Sequence, residues 1–171
     1  MGAEQAVVVT APADVRDTAG LAGKYLTFTL AGEDYAVGVL KVREIIKLLD
    51  ITSVPQVPRH VKGVVNLRGK VIPVVDLRLK FGFEEQAYTD RTCIVVVEVA
   101  MPSSTALMGI VVDSVSDVLT LSAADLEAPP EFGARASADY ILGVATVKGR
   151  VKILLDLDRV LGADAALTPG A

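Results

Sequence analysis

Gly63-Val64-Val65-Asn66-Leu67-Arg68-Gly69-Lys70-Val71-Ile72-Pro73-Val74-Val75-Asp76-Leu77 aligns without a gap on Gly143-Val144-Ala145-Thr146-Val147-Lys148-Gly149-Arg150-Val151-Lys152-Ile153-Leu154-Leu155-Asp156-Leu157. The opening Gly-Val, the turn glycine, the valine two residues beyond it and the closing Asp-Leu are identical, and the match runs on to Gly82 and Gly162. Each copy is a run of strand formers, a turn of basic residue plus glycine, and a second run, which is the pattern of a β-hairpin. A weaker echo precedes it, in which Val42-Arg43-Glu44-Ile45 resembles Val115-Ser116-Asp117-Val118. Two copies of one strand-rich unit suggest two similar β lobes. Short strands with glycine turns favour small closed barrels, which leave no exposed sheet edge.

The residues around the repeat extend the same reading. Tyr25 to Leu30 is β-rich, Ala31-Gly32-Glu33-Asp34 is a turn, and Tyr35 to Val39 resumes as a strand. Leu40-Lys41-Val42 fits a helical turn, with a strand from Arg43 onwards. Pro55 and Pro58 punctuate a loop, Cys93 to Val99 and Leu107 to Val112 are strands, and Ala123 to Ala138 is a loop rich in Ala and Pro. Each repeat ends in an Asp, a short apolar stretch and a glycine. That is the pattern of a short helix, with Asp76 or Asp156 as N-cap and Gly82 or Gly162 just past the end. Residues 1–23 carry no sustained period and read as a mobile tail, with 163–171 as a similar fringe.

Composition limits the function classes. Hydrophobic residues are 51% of the 171, aromatics only 5% and tryptophan absent, so aliphatic side chains, valine above all, must fill the core. A net charge of −4 lacks the basic footprint of a general nucleic-acid binder or of a protein docking on anionic lipid. A single cysteine makes no internal disulfide, which fits a reducing cytoplasm. No apolar run is long enough to span a bilayer, and the start has no basic n-region of a signal peptide.

The candidates for chemistry resolve into structural roles. Asp76 and Asp156 could form an acid/base pair, but their matching places in the repeat assign each to capping its own helix. His60, the sole histidine, sits in a proline-flanked loop and reads as a surface residue. No Cys, His or acidic spacing suits a metal, and no cofactor motif is present. Gly63 and Gly69 lack the Gly-Lys-Ser/Thr ending of a phosphate loop. Cys93 reads as a small hydrophobe rather than a nucleophile. Arg68 fits either a solvated hairpin turn or an interface anchor, since arginine offers a planar fork of donors and is enriched at hot spots. Val39, Val42 and Ile45 fit either the core or a partner groove.

Lys62 to Gly69, Pro73 to Arg78, Val42 to Ile45, Gly109 to Leu119 and Ala128-Pro129-Pro130-Glu131-Phe132 together closely resemble the CheW family. The resemblance runs in order from about Tyr25 to Gly162, making 24–162 the expected CheW-like domain. It implies an all-β fold of two pseudo-symmetric five-stranded SH3-like barrels packed together. It further implies a non-catalytic, cytoplasmic chemotaxis adaptor. Such an adaptor binds the cytoplasmic tip of chemoreceptors and the regulatory domain of the histidine kinase CheA, and is recruited to membrane-associated arrays. Receptor contacts carried over from the family fall on the first lobe, at Val39, Val42, Glu44, Ile45, Gly63, Arg68 and Cys93. Gly109 and Val118, expected on the second lobe, are carried over for the kinase only loosely, and both also fit a role in folding. The regulatory domain of a CheA-type kinase and the CheV-type adaptor share the fold. The sequence shows no ATP-binding, phosphotransfer or receiver segment, which disfavours both. Two small barrels binding single-stranded nucleic acid would need a basic groove with stacking aromatics, which this acidic chain lacks.

Overall fold

Three hairpin turns place two successive residues at positive φ, as the two-residue turns that suit strand twist require. They are Ala31-Gly32 (φ 52° and 82°), Arg68-Gly69 (52° and 86°) and Lys148-Gly149 (53° and 77°). The computed structural model describes residues 18–128 and 140–165. Its strands are β1 Gly23–Leu30, β2 Glu33–Gly38, β3 Val42–Lys47, β4 Val61–Leu67, β5 Lys70–Asp76, β6 Cys93–Ala100, β7 Thr105–Val112, β8 Ser114–Leu121, β9 Leu126–Glu127, β10 Ile141–Val147 and β11 Arg150–Leu155. Helix α1 is Leu77–Lys80 and α2 is Leu157–Ala165, with a 3₁₀ turn at Val39–Lys41 where the sequence suggests a helical turn.

The strands form two sheets, ordered β3-β6-β7-β5-β4 and β8-β1-β2-β11-β10-β9. The first five strands of each list correspond, which is the expected pseudo-symmetry, with the two-residue β9 added to one sheet. Repeats and lobes do not coincide, however. The first repeat keeps β3, β4 and β5 in one lobe and sends its hairpin β1-β2 to the other. The second repeat keeps β8 to β11 and sends β6-β7 across. The exchanged hairpins join through parallel pairs, Val74↔Gly109 in one lobe and Leu154↔Ala36 in the other. Local periodicity carries no record of such pairing, so the repeat predicts two lobes without revealing the exchange.

Three clusters fill the interior. Val65, Ile72, Val74, Ile94, Val96 and Val111 fill one lobe, and Tyr25, Ala36, Leu121, Leu126, Ala145 and Leu154 the other. The third holds eighteen buried residues among those described and takes side chains from both sheets and from α2. It is three times the size of either lobe's own cluster, so burial between the lobes dominates the hydrophobic stabilisation.

Several sequence expectations change at the edges. Leu21 packs against the Tyr25 cluster, its carbonyl accepts the Tyr25 hydroxyl at 2.6 Å, and Gly23 opens β1. Order therefore begins before residue 24, while residues 1–17 lie outside the description. Gly162 does not end α2, which continues to Ala165. Buried Asp164 accepts from Lys80 Nζ at 3.0 Å and lies 2.7 Å from His60 Nε2, and these contacts outweigh the roughly 1 kcal/mol that a helical glycine costs. His60 is thus a half-buried partner of that carboxylate and not a plain surface residue. In the loop after β8, Ala123–Asp125 forms a 3₁₀ turn and Leu126–Glu127 pairs with β10; residues 129–139, with Phe132, lie outside the description.

The two capping aspartates differ in burial. Asp76 Oδ1 accepts the Arg78 N–H at 2.9 Å, as the sequence predicts. It is also fully buried, accepts the Tyr88 hydroxyl at 3.1 Å and neighbours the buried Arg78 guanidinium. Asp156 is partly exposed, and its contacts are a 3.3 Å bond from the Arg159 N–H and an ion pair with that side chain. Asp76→Ala should cost about 3–5 kcal/mol, because it removes the cap, the acceptor of the Tyr88 hydroxyl and one of the two carboxylates beside the buried Arg78, the other being Asp113. Asp156→Ala should cost about 0.5–2 kcal/mol, the range of a cap; equal losses in urea unfolding would show that burial adds nothing to the first.

Asp34 on β2 ties the two repeats, accepting from Arg150 Nε at 2.8 Å and Lys152 Nζ at 3.1 Å on β11. Burial pushes its carboxyl pKa up, but the hydrogen bonds and charges of Lys152 and Arg150 outweigh this and hold it below the usual carboxylate value. A depressed folded-state pKa stabilises above the unfolded-state value and ceases to do so as pH falls through the folded one. Asp34→Asn should therefore cost about 1.5–3 kcal/mol at neutral pH, with the gap to wild type closing as pH falls through and below the ordinary carboxylate range. A gap that stays constant from neutral to acid pH would remove the ionised carboxylate from the account.

Candidate functional site

Strand β3 reads Val42-Arg43-Glu44-Ile45-Ile46-Lys47, and its pairing with β6 slips by one residue between Val42 and Glu44. The irregularity reorients the side chains at the start of the strand. Val42 leans on the inter-lobe cluster and Ile46 on the cluster inside its own lobe, while Ile45 is 45% exposed. Glu44 forms an ion pair with Arg68, whose side chain is 70% exposed at the tip of the β4-β5 hairpin. Val71, the second residue of β5 beyond that tip, is 62% exposed. Asn66 Oδ1 accepts the Gly69 N–H at 2.8 Å and fixes the turn that carries Arg68.

Of the positions carried over for the receptor, Glu44 and Arg68 are in contact and Ile45 adjoins them on the strand. Cys93 stands opposite Lys47 in the β3-β6 register and is partly buried, which pushes its thiol pKa up and fits the small-hydrophobe reading. Val39 lies half-buried in the 3₁₀ turn before β3. Leu40, beside it, was missed by the sequence reading although it is 91% exposed. A leucine in an apolar run defaults to the core, so no sequence signal marked it.

Gly63 belongs to the frame and not to the surface. Its φ is +143°, and a Cβ there would run into the backbone carbonyl of Thr52. The close approach lets Thr52 and Val64 exchange N–H···O bonds of 2.9 Å in each direction, bringing the chain beyond β3 round to β4. Gly143 repeats the device, with a Cβ falling 2.8 Å from the Glu127 carbonyl oxygen. Gly109 departs from the expected second-lobe placement, and its surroundings fit the folding role. It is buried on β7, in the same sheet as the receptor positions, and a Cβ would meet Ile94 Cγ2 at 2.7 Å. Val118 does sit in the other sheet, on β8, 53% exposed at the place equivalent to Ile45. Val151 there matches Val71 and is 56% exposed. Each lobe thus offers the same pair of exposed apolar positions beside a basic hairpin tip.

Among the described residues no group of three His, Cys, Asp or Glu side chains is placed to hold a metal ion, and no helix is long and apolar enough to cross a membrane. The solvent-facing features described above are aliphatic side chains beside an ion pair. The fold defines a two-lobed β module. A family model described as a CheW-like domain matches residues 24–165. The chemotaxis protein CheW of Klebsiella aerogenes is 36% identical over 141 residues, 82% of either chain. That of Rhizobium meliloti is 32% identical over 139 residues, 81% of this chain and 87% of the relative. The crystal structure of the scaffolding protein TtCheW from Thermoanaerobacter tengcongensis matches at a TM-score of 0.72 and 29% identity, covering 88% of this chain and 96% of that one. The chain belongs to the CheW-like family.

Gly63→Ala tests whether that position acts through the frame. The substitution forces an L side chain against Thr52 in a backbone region that tolerates it poorly, so it should cost upwards of about 1–3 kcal/mol. Gly143→Ala should be milder in strain, because its φ is not positive. A Gly63→Ala protein with unchanged thermal stability and lost partner binding would return Gly63 to the contact surface.

Proposed function

We propose that this chain is a non-catalytic chemotaxis adaptor that couples chemoreceptors to a CheA-type histidine kinase, working in the cytoplasm at membrane-associated receptor arrays. The family supports the reading, since the relatives named above are chemotaxis proteins and the solved neighbour is a scaffolding protein. Residues 24–162 are its working domain. The observation that carries the reading is the Arg68–Glu44 pair on one lobe, with exposed Ile45 and Val71, opposed by exposed Val118 and Val151 on the other. An adaptor needs two faces, and two related lobes provide them.

On this reading the β3-β6 face with the Arg68 turn takes the receptor, and the lobe carrying Val118 takes the kinase. An exposed ion pair contributes about 0–1 kcal/mol, so Arg68 gives up Glu44 at little cost. It then offers its fork of donors to a carboxylate of a partner. Val39, Val42 and Cys93 shape the floor beneath, while Gly63 and Gly109 hold the frame on which the face is built.

Arg68 also sits at φ 52°, where glycine is at ease and arginine is not. Arg68→Gly should therefore fold at least as stably as wild type, separating binding from folding. Truncating a hot spot costs about 2 kcal/mol, so affinity for a receptor-tip fragment should fall some thirtyfold or more. Affinity for the kinase regulatory domain should hold within about twofold, and Val118→Glu should show the reverse pattern. Two binding curves on each purified variant decide the matter; equal losses for both partners with Arg68→Gly would overturn the division of faces.

A further inference from the structure

The exchange of hairpins leaves each repeat incomplete. The first, β1 to α1, holds three strands of one sheet and two of the other; the second, β6 to α2, holds the remaining two and four. Neither contains a whole sheet, and the eighteen-residue cluster draws on both. Of the four buried charged residues described, Asp34, Asp164 and Arg78 have partners across the same divide, while Asp76 meets Arg78 within the first repeat. Asp34 of the first repeat meets Arg150 and Lys152 of the second, and Asp164 of the second meets Lys80 and His60 of the first. Arg78 Nη1 lies 3.2 Å from Asp113 Oδ1, again across the two repeats.

The connection between the repeats contributes little to this. Glu84, Glu85, Gln86 and Ala87 are all exposed. Their contacts return to the first repeat, Glu85 to Lys62 at 2.9 Å and the Gln86 carbonyl to Arg78 Nη2 at 2.9 Å. No strand or helix lies between α1 and β6. Burial and buried ion pairs act between the repeats whether or not the backbone joins them.

We propose that the two repeats are complementary folding partners, held together by their interlocked sheets rather than by the connection at 84–87. A second copy of this chain can then donate its first repeat to the second repeat of its neighbour. The partner is this same chain, because only a strand pair with the β1-β2 or β6-β7 pattern fits the vacated place between β8 and β11 or between β3 and β5.

The test uses the full chain with a protease recognition sequence inserted between Glu84 and Glu85, and a second chain with the insertion between Gln86 and Ala87. After cutting in the folded state, the two pieces should co-elute in gel filtration at the size of the uncut protein and melt in one transition. The melting midpoint should rise with protein concentration only after cutting, since unfolding then separates two molecules. Cut samples of ordinary and isotope-labelled protein, mixed, warmed and cooled, should give mixed pairs by native mass spectrometry. Separation of the pieces, two melting transitions, or absence of mixed pairs would overturn the proposal. So would failure of both uncut insertion chains to fold, since the connection would then be needed at its native length.

Discussion

Strand β6 is buried on both faces, and the molecule is arranged around that constraint. Ile94 and Val96 point into the cluster of one lobe, while Val95, Val97 and Val99 point into the cluster between lobes. Period-two alternation normally sorts apolar from polar residues. Here it sorts one core from another, so a run of branched aliphatics from Ile94 to Val97 is what the position requires. A single polar side chain in that run would be buried without a partner on one side or the other. Strand β1, its counterpart, solves the same problem with Leu26, Phe28 and Leu30 facing the inter-lobe cluster and Tyr25 facing its own lobe.

The repeat Gly63 to Leu77 and Gly143 to Leu157 made the all-β, two-lobed fold legible because hairpins are local. Turn residues, strand formers and the capping aspartate all lie within fifteen residues of one another. The echo of Val42 to Ile45 in Val115 to Val118 likewise identified the equivalent strands β3 and β8. What stayed hidden were relations between distant residues. The exchange of hairpins rests on β5 meeting β7 and β2 meeting β11, and no local pattern specifies a partner. Asp76 and Asp156 read as twins because they are twins locally; the burial of one beside Arg78 and Tyr88 is a tertiary fact. His60 and Gly162 were misread for the same reason, through a single buried carboxylate at Asp164.

The candidate site divides along a similar line. Sequence resemblance collected positions of two physical kinds and gave them one role. Glu44, Ile45 and Arg68 present side chains to solvent. Gly63 and Gly109 present only the absence of one, and their neighbours fill the space that a Cβ would need. Leu40, Val71 and Val151 went unnoticed because an exposed aliphatic residue is invisible in a sequence rich in buried ones. Exposure, not residue type, separates the groups.

The interleaving also sets a timetable for the newly made chain. The first hairpin finishes near Gly38, but the strand it pairs with in parallel begins at Arg150. Asp34 and its partner Arg150 are 116 positions apart. At about 5–20 residues per second of synthesis, the ribosome takes roughly 6–23 s to cover that interval. Partners arrive piecemeal through that time: Val95 to Val112 for the apolar faces of Leu26, Phe28 and Val37, then β8 from Ser114 beside β1, and β11 beside β2 last. A cell making this protein must keep an unfinished, strand-rich half from meeting others like it, a burden that an adaptor built from two sequential lobes would not carry.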